Sequence, residues 1–137
     1  MRAAALTLVA LAATGCMSRS DSSNSDSSNS DSSPTADLQI SVSIRNSEAP
    51  SKAWTLHCPP GGTLPDAAAA CRKLGQIDDP FAPVPEGTAC TQIYGGPEIA
   101  DVSGMFNGKP VDTQFSRGNG CELERWKRVG FLFPNVS

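Results

Sequence analysis

EIADVSGMFNGKPVDTQFS, residues 98–116, is the stretch that decides the fold. Two runs flank Asn107-Gly108, a dipeptide suited to the type I′ turn because both central residues there take positive φ and the turn matches the twist of the strands. A two-residue loop pairs Phe106 with Lys109, Gly104 with Val111, Val102 with Thr113 and Ala100 with Phe115. In that register Ala100, Val102, Phe106, Val111 and Phe115 share one face, and Asp101, Ser103, Asp112 and Gln114 share the other. Register and polarity agree, which predicts an antiparallel hairpin with one buried face. Pro110 lacks a donor, so its strand lies at a sheet edge or turns the gap outward.

Just upstream lies Cys90-Thr91-Gln92-Ile93-Tyr94, followed by Gly95-Gly96-Pro97 and preceded by the proline-rich Asp79-Pro80-Phe81-Ala82-Pro83-Val84-Pro85. Neither flank can be helix, because proline lacks the N–H and fixes φ. The pentapeptide is therefore expected to be extended and exposed, with one end held by a cysteine. Proteases bind substrates in that shape, through main-chain hydrogen bonds and side-chain pockets.

Further upstream, Leu38, Ile40, Val42 and Ile44 alternate with Gln39, Ser41, Ser43 and Arg45, the period of a half-buried strand. Trp54, Leu56 and Cys58 alternate with Ala53, Thr55 and His57 and predict a second. His57 falls on the more polar face, and no acidic or serine motif frames it as a catalytic base. Pro59-Pro60-Gly61-Gly62 breaks the strand. A short helix follows, with Thr63 expected as N-cap, Pro65 and Asp66 in the first turn, Ala67 to Leu74 as its body and Gly75 at its end. It is marginal alone and requires packing or a staple, which Cys71 can supply by pairing with Cys58.

Downstream of the hairpin, Arg117-Gly118-Asn119-Gly120 forms a turn leading to Cys121. A helical turn is expected over Cys121 to Arg128, with Glu122, Glu124, Arg125, Lys127 and Arg128 as a solvated face. Val129, Phe131 and Phe133 alternate and predict a final strand.

The first 36 residues have a different character. Arg2 precedes an apolar run, Ala3 to Ala13, too short to span a bilayer, and the run leads to Ala13-Thr14-Gly15-Cys16. Residues 1–16 read as an export signal whose end resembles the bacterial lipobox, with Cys16 as the lipidated residue. The other reading is a plain secretory signal that leaves Cys16 as a spare thiol. A lone free thiol outside the cell is a liability, which favours lipidation. Residues 17–36 form a tether rich in Ser, Asp and Asn, with nothing apolar in its SDSSN repeats to offset chain entropy. A flexible linker of about 20 residues spans roughly 25 Å and lifts a domain off the membrane. The globular domain is expected over residues 37–137.

The chain has 137 residues, a net charge of −3 and five cysteines. That charge gives no case for nucleic acid or for an anionic membrane surface, so contact with the membrane is expected through the lipid anchor only. Without Cys16, four cysteines remain, and sequence alone does not choose among their three connectivities. Cys58–Cys71 and Cys90–Cys121 are the favoured pairs. A zinc site is the competing use, but no C-x-x-C spacing occurs and an exported chain favours disulfides. No cofactor or metal is expected, nor an enzyme, since no base–nucleophile pair is legible.

Taken in order, these features resemble the Streptomyces-type subtilisin inhibitors over nearly all of residues 37–137. The shared features are two opening strands, a cysteine, a short cysteine-bearing helix, the Cys-Thr-X-X-Tyr segment, a hairpin turning at Gly108-Lys109, a fourth cysteine and a closing Phe-X-Phe. The resemblance implies an α+β fold, a five-stranded antiparallel sheet with two short helices on one face. It also implies the two local disulfides and often a homodimer. The reactive bond would join Gln92 (P1) to Ile93 (P1′), within a protease-binding loop of Cys90, Thr91, Tyr94, Gly95 and Gly96. Asn119, two residues before Cys121, would be the loop's support. The implied partner is a subtilisin-like serine protease. The sequence departs from the family at Gln92, where methionine or lysine is usual, and at Gly95-Gly96-Pro97, where a residue-proline pair usually follows tyrosine. A binding module on the same fold without inhibitory activity, or an envelope lipoprotein of structural role, are the other readings. Localisation follows the anchor: the outer face of the cell membrane with lipid on Cys16, secreted without it.

Overall fold

A computed structural model describes residues 33–136 and Gly15. The expected export signal apart from Gly15, Cys16 and most of the expected tether lie outside the described residues. The elements are β1 (Ala36–Ile44), β2 (Lys52–Cys58), α1 (Ala67–Gly75), β3 (Glu98–Phe106), β4 (Lys109–Ser116), α2 (Gly120–Arg128) and a 3-10 turn (Gly130–Leu132). The first strand begins one residue before Asp37, and Pro34 ahead of it is already buried.

The strands form one antiparallel sheet in the order β2-β1-β3-β4. The β3–β4 register is the expected one: Phe106 faces Lys109, Gly104 Val111, Val102 Thr113 and Ala100 Phe115. Asn107 and Gly108 take φ of 48° and 77°, and β4, which carries Pro110, is an edge strand. The turn also clasps the start of β1. Asn107 N donates to Thr35 O at 2.8 Å, and Thr35 N donates to Asn107 Oδ1 at 2.9 Å.

One face of the sheet builds the core. Leu38, Ile40, Leu56, Ala100, Val102 and Phe115 are essentially inaccessible to solvent. Against them pack Ala70, Cys71 and Leu74 of α1, Trp126 of α2, and Val129, Leu132 and Phe133. Each large side chain so buried stabilises the fold by about 1.5–3 kcal/mol relative to exposure. Cys58–Cys71 ties α1 to the end of β2, and Cys90–Cys121 ties the proline-rich approach to α2.

Three expectations are corrected. First, the described sheet has four strands, not five. Val129, Phe131 and Phe133 were expected to close it as a strand, but Gly130–Leu132 is a 3-10 turn, with Leu132 N donating to Val129 O at 2.8 Å. The buried positions are Trp126, Val129, Leu132 and Phe133. That spacing of three and four continues the periodicity of α2 and overrides the apparent alternation. Second, the N-cap of α1 is Asp66, not Thr63. Asp66 sits in the left-handed region at φ 54° and accepts from Ala69 N at 3.3 Å. Thr63 is engaged with β2 instead: Thr55 N donates to Thr63 Oγ1 at 2.9 Å, and Thr63 N donates to Thr55 O at 3.0 Å. Third, the charged run of α2 is not all solvated, because Arg125 is only 6% exposed.

Candidate functional site: an exposed segment clamped by the end of one hairpin

Residues 88–96 carry no regular secondary structure, and Thr91, Gln92, Ile93 and Tyr94 all face solvent. Ile93 and Tyr94 are 59% and 66% exposed, although apolar side chains of that size usually find cover. Their position follows from local constraints. The prolines upstream keep the approach out of helix, and the segment must enter β3 at Glu98.

Three restraints hold it, two on the N-terminal side of Gln92-Ile93 and one on the C-terminal side. On the N-terminal side the Cys90–Cys121 bridge fixes the backbone, with Cα atoms 5.3 Å apart. One residue on, Gly120 N donates to Thr91 O at 2.9 Å. On the C-terminal side Gly95 N donates to Arg117 O at 2.7 Å. Both partners belong to the short link between β4 and the first turn of α2. The four residues Thr91 to Tyr94 thus arch between two points on one rigid stretch. Arg45 N donates to Pro97 O at 2.9 Å and fixes the exit.

The glycines after Tyr94 are contact surface. A Cβ on Gly95 would overlap Leu123 Cδ2 of α2. Gly96 takes φ 147°, and a Cβ there would overlap Glu98 Oε2. Close approach accounts for both glycines, the other use of this residue besides the freedom it gives a loop. Beneath Gly96, Arg117 Nη1 meets Glu98 Oε2 at 2.9 Å, with side chains 18% and 19% exposed. The Arg117 guanidinium also stands 5.8 Å from the ring centre of the buried Trp126. At that burial the pair is less screened than a surface ion pair.

Asn119 is the N-cap of α2, and its Oδ1 accepts from Glu122 N at 3.0 Å. It reaches the loop through the next residue, Gly120, whose N–H meets Thr91 O. Asn119 therefore orients the helix end that holds the segment. The residues that sequence reasoning missed are Arg117, Glu98, Gly120 and Leu123. The first two were within reach: Ile99 pairs with Ser116, so extending that register one step sets Glu98 opposite Arg117. Leu123 carried no such signal, since its contact with Gly95 depends on how α2 docks.

His57 lies at the far edge of the sheet, on β2, half exposed, with Nδ1 3.4 Å from Asp37 Oδ1. Among the described residues no group of three or more His, Cys, Asp and Glu side chains is arranged to hold a metal ion.

The fold and the segment define a class: a small disulfide-stapled α+β scaffold that displays one clamped, exposed peptide. The profile of the subtilisin inhibitor-like family matches residues 34–119, and the chain belongs to that family. Its members are inhibitors, not enzymes. Among curated relatives, the chain is 34% identical over 87 residues to the transglutaminase-activating metalloprotease inhibitor of Streptomyces mobaraensis, covering 60% of this chain and 58% of that protein. It is 31% identical over 107 residues to subtilisin inhibitor-like protein 1 of Streptomyces cacaoi, covering 73% of this chain and 96% of the other. Among solved structures, Streptomyces caespitosus sermetstatin in complex with Bacillus licheniformis subtilisin aligns at 23% identity and a TM-score of 0.47, over 74% of this chain and 98% of that one.

Proposed function

We propose that this chain is a substrate-like, reversible inhibitor of subtilisin-like serine endopeptidases, held at the outer face of the cell membrane by lipid on Cys16, with Gln92–Ile93 as its reactive bond. The observation that carries the reading is the arch itself. Gln92 and Ile93 stand exposed between two backbone hydrogen bonds and a disulfide, all anchored on residues 117–121. A segment already ordered in its bound shape avoids most of the ordering cost of association.

The chemistry follows from that restraint. The protease serine attacks the Gln92 carbonyl carbon, and the oxyanion hole takes the developing charge. The Gln92–Ile93 C–N bond breaks, an ester to the serine forms, and the enzyme's base delivers the serine proton to the Ile93 nitrogen. In an ordinary substrate the new amine leaves and water enters. Here the amine stays beside the ester, and re-formation of the C–N bond wins by proximity.

P1 chemistry tests the assignment. A trypsin-like pocket holds a buried carboxylate, and Gln92 leaves it unpaired at a cost of about 2–5 kcal/mol. A broad apolar pocket accepts the Gln92 methylenes, with less gain than from methionine. The wild type is therefore expected to inhibit subtilisin modestly and trypsin little. Gln92→Lys should create trypsin inhibition and Gln92→Met should strengthen subtilisin inhibition. Neither substitution touches the core, so melting temperatures should agree within a degree or two. Inhibition constants of the three proteins against both enzymes decide it. If all three are inert while folded, residues 90–94 are not a working reactive site and the binding-module reading replaces this one.

A further inference from the structure

We infer that Leu123, acting with the Glu98–Arg117 ion pair, is the positioning floor for the amine half of the reactive segment, and that it governs how readily a cut Gln92–Ile93 bond reseals. The inference rests on the inhibitor reading for its consequence, but not for its geometry.

The two halves of the segment are held by different kinds of force. The acyl half is tied covalently, since Cys90 lies two residues from Gln92 and is bonded to Cys121. Cutting the reactive bond leaves that tie intact. The amine half has no covalent staple before β3. Its restraints are the Gly95 N–H to Arg117 O bond of 2.7 Å, the contact of Gly95 with Leu123, the passage of Gly96 over Glu98 and Arg117, and, further on, the Arg45 N–H to Pro97 O bond of 2.9 Å. Once the bond is cut, these non-covalent contacts alone keep the Ile93 amine beside the ester.

Leu123 is central among them by position. It lies one helical turn beyond the N-cap Asn119, and its backbone N–H donates to Asn119 O at 2.9 Å. Its side chain fills the space where a Cβ on Gly95 would stand. It also lines a shallow hollow with Thr91, Ile93 and Gly120, so it lies under both sides of the reactive bond. Resealing requires the Ile93 amine to attack the ester carbon, re-forming C–N as the bond to the serine oxygen breaks and the proton returns to that oxygen through the enzyme's base. A displacement of about 1 Å in such a step costs on the order of 100-fold. Water then competes, and the inhibitor becomes a substrate.

The experiment has one arm without protease and one with it. Amide hydrogen exchange in the free protein reads the Gly95 N–H directly, with Val102 in β3 as reference. Leu123→Ala and Glu98→Gln should each speed Gly95 exchange by about tenfold or more and leave Val102 unchanged. Leu123→Met should restore it. Arg128→Ala, exposed at the end of the same helix and outside that hollow, should do nothing. With subtilisin, Leu123→Ala should raise both the rate of net hydrolysis at Gln92–Ile93 and the cleaved fraction at equilibrium, about tenfold, and Leu123→Met should again restore the wild type. Gly95 exchange within twofold of wild type in both variants overturns the inference. So does unchanged hydrolysis despite faster exchange. A wild-type chain that subtilisin neither cuts nor binds removes the inhibitor reading and the resealing role together, while Gly95 exchange still decides whether Leu123 holds the segment.

Discussion

Arg125 carries a guanidinium into the interior, where each of its three nitrogens meets an acceptor. Nε donates to Ala82 O at 2.9 Å, Nη1 to Gln114 O at 3.1 Å and to Glu122 Oε2 at 3.0 Å, and Nη2 to Thr113 Oγ1 at 3.0 Å. The group also stands 4.5 Å from the ring centre of Phe115. One side chain thus joins α2, β4 and the proline-rich approach to the exposed segment. A planar fork of five donors can do this and an ammonium cannot. Arg125→Met should cost about 3 kcal/mol, because it leaves Glu122 and two carbonyls short of a partner in a poorly solvated place. Arg125→Lys should recover less than half of that loss. Arg128→Met, exposed three residues on, should stay within about 0.5 kcal/mol of wild type. Urea midpoints of the three variants check the set. The run from Glu122 to Arg128 was legible as charged and helical. Which of its cations would be buried was not, because that depends on where Ala82 and Gln114 arrive in space.

Among the elements, the hairpin was the most legible and the C-terminal turn the least. The hairpin's register follows from Asn107-Gly108 and a period of two, both local. At the C-terminus, Val129, Phe131 and Phe133 offered the same period over only five residues, and the continuing helical spacing from Trp126 prevailed. The two disulfides are expected to be comparable staples with unequal functions. The chain-entropy estimate gives about 3 kcal/mol for the loop closed by Cys58–Cys71 and about 4 kcal/mol for that closed by Cys90–Cys121. Replacing either pair with alanine should therefore lower stability by similar amounts in urea unfolding. Inhibition of subtilisin should separate them. Cys58→Ala/Cys71→Ala should leave the inhibition constant within threefold at temperatures where the domain is folded. Cys90→Ala/Cys121→Ala should weaken it by tenfold or more, since it frees the acyl half of the arch. Equal weakening by both would show that the bridge beside the reactive bond acts through overall stability alone.

At the scale of the whole chain, the proposed reading is of an inhibitor stationed at a surface by lipid on Cys16 and a polar tether. Cys16→Ser should move the protein from the membrane fraction to the medium, with an unchanged inhibition constant. A wild-type chain found entirely in the medium would count against the anchor. The sequence by itself determined whatever rests on local rules: the strand pattern of Leu38 to Ile44, the hairpin and its register, the helix over Ala67–Leu74, and the exclusion of helix around Cys90 to Tyr94 by proline. Cysteine order, with the family's pattern, pointed to both disulfides. The tertiary structure alone decided the Asp66 cap over Thr63, the burial of Arg125, the 3-10 turn in place of a fifth strand, and the docking of Gly95 on Leu123. Each of these is a contact between segments far apart in sequence, or a contest between two local preferences that packing resolves. Composition and periodicity report which face of an element is apolar; they do not report what comes to lie against it.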